Sequence, residues 1–300
     1  MNRIELMELV RERQIGRVSR REFLRQATAV LGSTAAASTL LVACSSTTTG
    51  STPPPVVDAT RPTAVPDVAS GAAPQTGLVS YPGADGTELM GYLALPEGSG
   101  PFPGVIVIQE WWGLNDHIKD VTDRFAAAGY VALAPDLYHG QSTTEPDEAR
   151  KLVMELDMAA AVSEIQSAAA YLRGLDETTG RVGITGFCMG GGLVLQTAAV
   201  DDTIDAAVPF YGSPLPASQA AMVSAPVLSF LGSADNISAA NYEAMHAVFD
   251  ENNVPNHFQL YEGAQHAFFN DTRASYDAAA AEDAWQRMLA WFDEYLAPAS

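Results

Sequence analysis

From about residue 77 onward, short β-branched apolar runs alternate with stretches of helical periodicity, and few folds accommodate that alternation. Thr87–Leu95, Gly104–Ile108, Tyr130–Ala134, Val182–Thr185, Ala206–Tyr211, Val227–Leu231 and His257–Tyr261 read as strands. Between them, Asp116–Ala128 places Ile118, Val121 and Phe125 on one helical face. Val162, Ile165, Ala169 and Leu172 mark a second amphipathic helix, and Trp285, Met288, Leu289, Phe292 and Leu296 a third. Strands that recur with helices between them call for a mostly parallel sheet covered on both faces, in one domain spanning 77–300. No internal repeat interrupts this pattern.

The residues before that domain read differently. Ser19-Arg20-Arg21-Glu22-Phe23-Leu24 precedes an uncharged, weakly apolar run from Ala27 to Ala43, the layout of an export signal rather than of a fold element. The run is short and weak for a membrane span. Its front resembles the twin-arginine signal, and Leu41-Val42-Ala43-Cys44 resembles a lipobox, which implies cleavage before Cys44 and lipid attachment to it. Residues 1–44 are thus expected to be a signal peptide, after which the protein is lipid-anchored at the cell envelope or otherwise periplasmic or secreted. Residues 45–76, with Pro53-Pro54-Pro55 and many Ser and Thr, have little to bury and read as a linker.

Charge narrows the partners. The formal net charge is −20, and because residues 1–44 carry seven Arg against four Glu, the remainder stands at −23. Such a body repels nucleic acid and anionic lipid, so the lipid anchor is the expected membrane contact and no nucleic-acid partner is expected. Two cysteines, Cys44 and Cys188, do not make a disulfide framework. With no paired His-x-x-His and no Cys cluster, neither a metal nor another cofactor is expected. Oligomeric state leaves no mark in the sequence.

The chemistry concentrates at Gly186-Phe187-Cys188-Met189-Gly190-Gly191, between the strand Val182–Thr185 and an Ala/Leu-rich helical stretch. This is the nucleophile elbow of the α/β-hydrolase fold, G-x-S-x-G, with Cys in place of Ser. A side chain held on so tight a turn needs neighbours without Cβ. The helix N-terminus that follows favours an anionic sulfur, and the Met189 N–H is placed to receive a developing oxyanion. A nucleophile needs a base, and the base an orienter. In this architecture the acid and then the histidine follow the nucleophile, each after a later strand. Asp235, in Gly232-Ser233-Ala234-Asp235, and His266, in Gly263-Ala264-Gln265-His266, meet that order. His246 lies in an expected helix and His257 begins a strand, which makes both structural or exposed; His117 and His139, at strand ends, remain candidates for lining the cleft. Glu110 follows the strand Gly104–Ile108 at the edge where ligands bind in open α/β sheets, and Trp111 and Trp112 beside it form an apolar wall that would raise its pKa.

Taken together, Gln109-Glu110 with Trp112-Gly113-Leu114, Ala134-Pro135-Asp136-Leu137-Tyr138, the Cys188 elbow, the Asp235 loop and His266-Ala267-Phe268 resemble the dienelactone hydrolase family from about residue 77 to 296. The resemblance implies a Cys188-Asp235-His266 triad, Glu110 hydrogen-bonding the resting thiol, and the Trp111 N–H joining Met189 in an oxyanion hole. It also implies hydrolysis of a small ester or lactone, such as one from aromatic breakdown, through a transient thioester. Trp112, Phe268, Asn270 and Arg150 are the positions it suggests for substrate contact. The family pattern has an Arg four residues after the catalytic His, where this chain has Asn270; Arg273 lies three residues further on, and Arg150 falls roughly where a second Arg is found. A broader carboxylesterase acting on neutral esters is the competing enzyme reading. A catalytically idle ligand-binding lipoprotein is the alternative outside enzymes, and a broken triad would be its mark.

Overall fold

The computed structural model describes residues 75–297. The expected signal, Cys44 and the linker up to residue 74 lie outside the described residues.

The expected α/β architecture is present as an eight-stranded sheet in the order β1-β2-β4-β3-β5-β6-β7-β8. The strands are β1 Gln75–Pro82, β2 Glu88–Leu95, β3 Phe102–Ile108, β4 Val131–Pro135, β5 Thr178–Phe187, β6 Ala206–Phe210, β7 Val227–Gly232 and β8 Asn256–Tyr261. β1 pairs antiparallel with β2 and β2 with β4, while all later neighbours run parallel. The helices are α1 Asp116–Ala127, α2 Pro146–Glu155, α3 Met158–Arg173, α4 Met189–Val200, α5 Ala217–Ala220, α6 Ala239–Glu251 and α7 Ala278–Tyr295.

Alternation along β5 shows how the layers form. Gly104 of β3 is in register with Val182 of β5 and faces Leu172 of α3. The next residue, Gly183, points to the opposite face and lies against Phe292 of α7. α3 and α7 therefore cover opposite faces. On the α7 side, Phe125 of α1 meets Trp285 and Phe292 at ring-centroid distances of 4.8 and 6.0 Å. Each such fully buried side chain contributes roughly 1.5–3 kcal/mol, and the central strands are buried throughout. Side-chain caps set several helix starts: Asn115 accepts the Ile118 N–H at 3.1 Å, and Asp157 and Asp277 do the same for α3 and α7.

Several elements depart from the sequence reading. β1 starts at Gln75, inside the segment read as linker. It is an edge strand with Leu78 at 64% exposure, so its apolar alternation is weak and pairing with β2 decides its conformation. α2 has no counterpart in the sequence pattern, because Ala149 is its one buried residue and so no apolar stripe marks it. β5 also extends beyond Val182–Thr185 in both directions; its glycines read as breaks, but pairing with β3 and β6 carries the strand through them.

Candidate active site

Four loops at the carboxyl edge of the parallel strands converge, following β3, β5, β7 and β8. Cys188 separates β5 from α4 with φ 57° and ψ −115°, a conformation that a non-glycine residue adopts only where surrounding contacts enforce it. A Cβ on Gly190 would stand 2.5 Å from the Gln109 carbonyl oxygen and 2.6 Å from that of Ile108. Glycine there lets the elbow sit directly against the end of β3. The Cys188 N–H donates to the Phe210 carbonyl at 3.1 Å, which ties the turn to β6 as well.

Asp235 and His266 are joined at 2.8 Å between Oδ2 and Nδ1, with the Asp235 side chain 1% exposed and the His266 side chain 36% exposed. Backbone bonds hold the two loops together: Ala234 N–H donates to Ala264 O at 3.0 Å and Ser233 N–H to Tyr261 O at 2.8 Å. Burial opposes a charged imidazole, but Asp235 and the Cys188 sulfur outweigh it and push His266 up to about 10. The ring is thus supplied with a proton that it can deliver to a leaving group.

The pocket above these groups encloses about 790 Å³, and its walls include Glu110, Trp111, Trp112, Cys188, His266 and Arg273. Trp111 and Trp112 meet edge-on at 4.8 Å. The Arg273 guanidinium lies 3.8 Å over the Trp112 ring. Glu110 is almost fully buried, and burial raises its pKa despite opposing influences from Asn270, Arg273 and His266. Met189 opens α4, where the first N–H groups have no carbonyl partner within the helix.

Several expected site residues lie elsewhere. Asn270 is buried and does not line the pocket: its Oδ1 accepts from the Thr272 N–H and hydroxyl, which orients its amide to donate to Glu110 Oε2 at 2.6 Å. Glu110 Oε1 has no hydrogen-bond partner, so the expected bond between Glu110 and the resting thiol is not formed. Phe268 is a core residue packed on Tyr211, Tyr261 and Phe210, because the backbone reverses at Ala267, φ 62°, and turns the next side chain inward. Arg150 sits exposed on α2, paired with Asp147 at 2.9 Å, and does not reach the pocket. His117 is buried against Asp271, at 3.2 Å, and His139 pairs with Glu164 at 3.4 Å; neither lines the cleft. His246, bonded to Asn256 and Ser229, is structural.

Conversely, Arg273 and Tyr211 emerge as neighbours of the site. Tyr211, φ 36°, is fully buried with its ring 5.0 Å from that of His266. The hydropathy pattern carries the strand through Tyr211, and nothing in it marks the backbone reversal there, since β6 ends at Phe210.

The family model for the dienelactone hydrolase family matches residues 89–296. The chain belongs to that family. It is therefore a hydrolase. Protein usf of Aquifex pyrophilus is 38% identical over 226 residues, covering 71% of this chain and 96% of that protein. Among solved structures, a dienelactone hydrolase-like promiscuous phosphotriesterase, P91, from metagenomic libraries is similar with a TM-score of 0.67 and 28% identity, over 73% of this chain and 98% of that one. The dienelactone hydrolase of Anabaena variabilis, at 24% identity and a TM-score of 0.59 over 75% and 99% of the two chains, shares the fold.

For a hydrolase of this family, the Asp235–His266 pair is expected to set the alkaline limb of activity. His266 is held protonated up to about 10, so kcat/KM should stay level through neutral pH and fall as pH passes that value. Asp235→Asn removes the charge that sustains the imidazolium and should move this limb down by about one to two pH units. A pH profile of ester hydrolysis checks it; an unmoved limb would show that Asp235 does not govern His266.

Proposed function

We propose that the chain cleaves a small carboxylic ester or lactone through Cys188, by way of a thioester. The observation that carries this reading is the convergence of an elbow cysteine and a histidine from two strand ends upon one pocket, with the buried Asp235 carboxylate from a third strand end bonded to that histidine. The Cys188 thiolate attacks the substrate carbonyl, and the carbonyl electron pair moves onto oxygen, facing the N–H groups of Met189 and Trp111. Collapse of this intermediate expels the alkoxide, which takes the proton from His266. Water then gives a proton to His266 as it attacks the thioester, and the second collapse releases the acid and restores the thiolate. Since a triad complete in all three members favours turnover, the idle-lipoprotein reading is set aside.

Cys188→Ala should fold normally and lose turnover of p-nitrophenyl acetate by at least a thousandfold. In the wild-type protein, mass spectrometry of acid-quenched turnover should find the acyl group on Cys188. Wild-type-like hydrolysis by a folded Cys188→Ala protein would refute the mechanism.

Arg273 favours an anionic substrate over the neutral esters of the competing reading. Its guanidinium is stacked on Trp112 at the pocket wall, its Nε has no hydrogen-bond partner, and it forms no ion pair among the described residues. Guanidinium is suited to a bidentate grip on a carboxylate, which contributes roughly 1.5–3 kcal/mol. Arg273→Gln should therefore lower kcat/KM for a carboxylated lactone by about ten- to a hundredfold and leave a neutral short ester within about threefold. Equal losses on both substrates would return the assignment to the broad esterase.

We propose further that the twin-arginine segment exports the protein and that Cys44 carries a lipid, on the strength of the Ser19–Leu24 and Leu41–Cys44 patterns. Cys44→Ala should release the hydrolase from the membrane fraction. Continued sedimentation with membranes would remove the anchor.

A further inference from the structure

Tyr138 follows β4 in the turn Pro135-Asp136-Leu137-Tyr138, its N–H donating to Asp136 Oδ1 at 3.2 Å, and it is 4% exposed. Its hydroxyl lies 3.3 Å from the Trp111 carbonyl oxygen and 3.4 Å from Met189 Sδ. One side chain thus touches both residues whose N–H groups face the developing oxyanion, although they sit on separate loops, one after β3 and one after β5. The hydroxyl has a single proton. A carbonyl oxygen is the stronger acceptor, so the proton belongs to Trp111, and the thioether is a packing neighbour that fixes how far α4 stands from the β3 loop.

We propose that Tyr138 is a positioning residue for the oxyanion hole, holding the Trp111 backbone, through its carbonyl side, at the spacing from Met189 that a tetrahedral intermediate requires. The inference rests on the reading of Cys188 as the nucleophile. The anchored carbonyl belongs to the peptide that Trp111 shares with Trp112, so the bond restrains the backbone on the other side of the Trp111 Cα from its N–H, and hole donors act only when they are aimed at the oxyanion before it forms. The rest of the loop does not depend on this bond. Thr143 N–H donates to Trp112 O at 2.9 Å, and Gly113 forms an isolated bridge with Ser142, so the β3 loop stays clamped to the β4 loop without the hydroxyl. Replacing Tyr138 with Phe therefore removes one restraint on the Trp111 backbone while leaving its surroundings packed.

The test compares a reaction that needs the hole with one that does not. Hydrolysis of p-nitrophenyl acetate passes through an oxyanion, whereas alkylation of Cys188 by iodoacetamide displaces iodide and forms none. Tyr138→Phe should lower kcat about tenfold, with KM and the alkylation rate each within about twofold of wild type, since a misaimed donor costs less than the hundredfold or more seen when a donor is deleted. A trifluoromethyl ketone, which forms an anionic adduct with a cysteine, should lose affinity by a similar factor. Unchanged kcat in Tyr138→Phe overturns the proposal. So does a parallel fall in kcat and alkylation, which marks disturbance of the whole elbow. Failure of Cys188 to alkylate in the wild-type protein would instead refute the nucleophile reading itself.

Discussion

The approach of the elbow to the end of β3 is the contact on which the site depends. Carbonyl oxygens of Ile108 and Gln109 lie where a Cβ of Gly190 would be, and Gly186 meets both Gly190 and Ile108 just as closely. No side chain fits between these backbones. Cys188 accordingly takes a positive-φ conformation between β5 and α4, and α4 begins directly after it with its first N–H groups free of intrahelical partners. The same contact brings Glu110 and the Trp pair, which follow Gln109 directly, to the wall of the pocket.

Charge at the site is organised against the character of the chain as a whole. The protein carries a net −20, yet the pocket wall holds Arg273 and an imidazole that keeps its proton to about 10. Burial works in opposite directions on the two ionisable partners: it raises Glu110, and it opposes the charge on His266 until Asp235 and Cys188 reverse the balance. Low local dielectric makes such pairings strong inside the cleft, whereas salt screens the surface charge beyond about 8–10 Å. The loop from His266 to Asp277 joins these effects, since it carries the imidazole, the Asn270 amide that clamps Glu110, and Arg273 over Trp112.

That loop also shows why short motifs transfer unevenly between relatives. His266 follows β8 at a fixed distance, and its partner Asp235 is held by backbone bonds between neighbouring loops. Beyond Ala267 the chain is irregular, and one reversal decides whether Phe268, Asn270 or Arg273 faces the pocket. A count of residues after the histidine selects Asn270; the folded loop presents Arg273.

What the sequence determined by itself is the order of strands and helices, the α/β class, and the positions of Cys188, Asp235 and His266 at strand ends. Those features are local: hydropathy periods, glycines around a turn, and the spacing of each residue from the strand before it. Only the tertiary structure decided that β1 is an edge strand and α2 a helix, for neither has a strong apolar pattern. It also decided that Phe268 belongs to the core, that Asn270 serves Glu110, that Arg150 stays at the surface, and that Tyr138 spans two loops. Side-chain direction in irregular backbone follows from contacts between segments far apart in the chain, and Asn270 and Glu110, 160 residues apart, meet only once the sheet has brought β3 and β8 loops to the same edge.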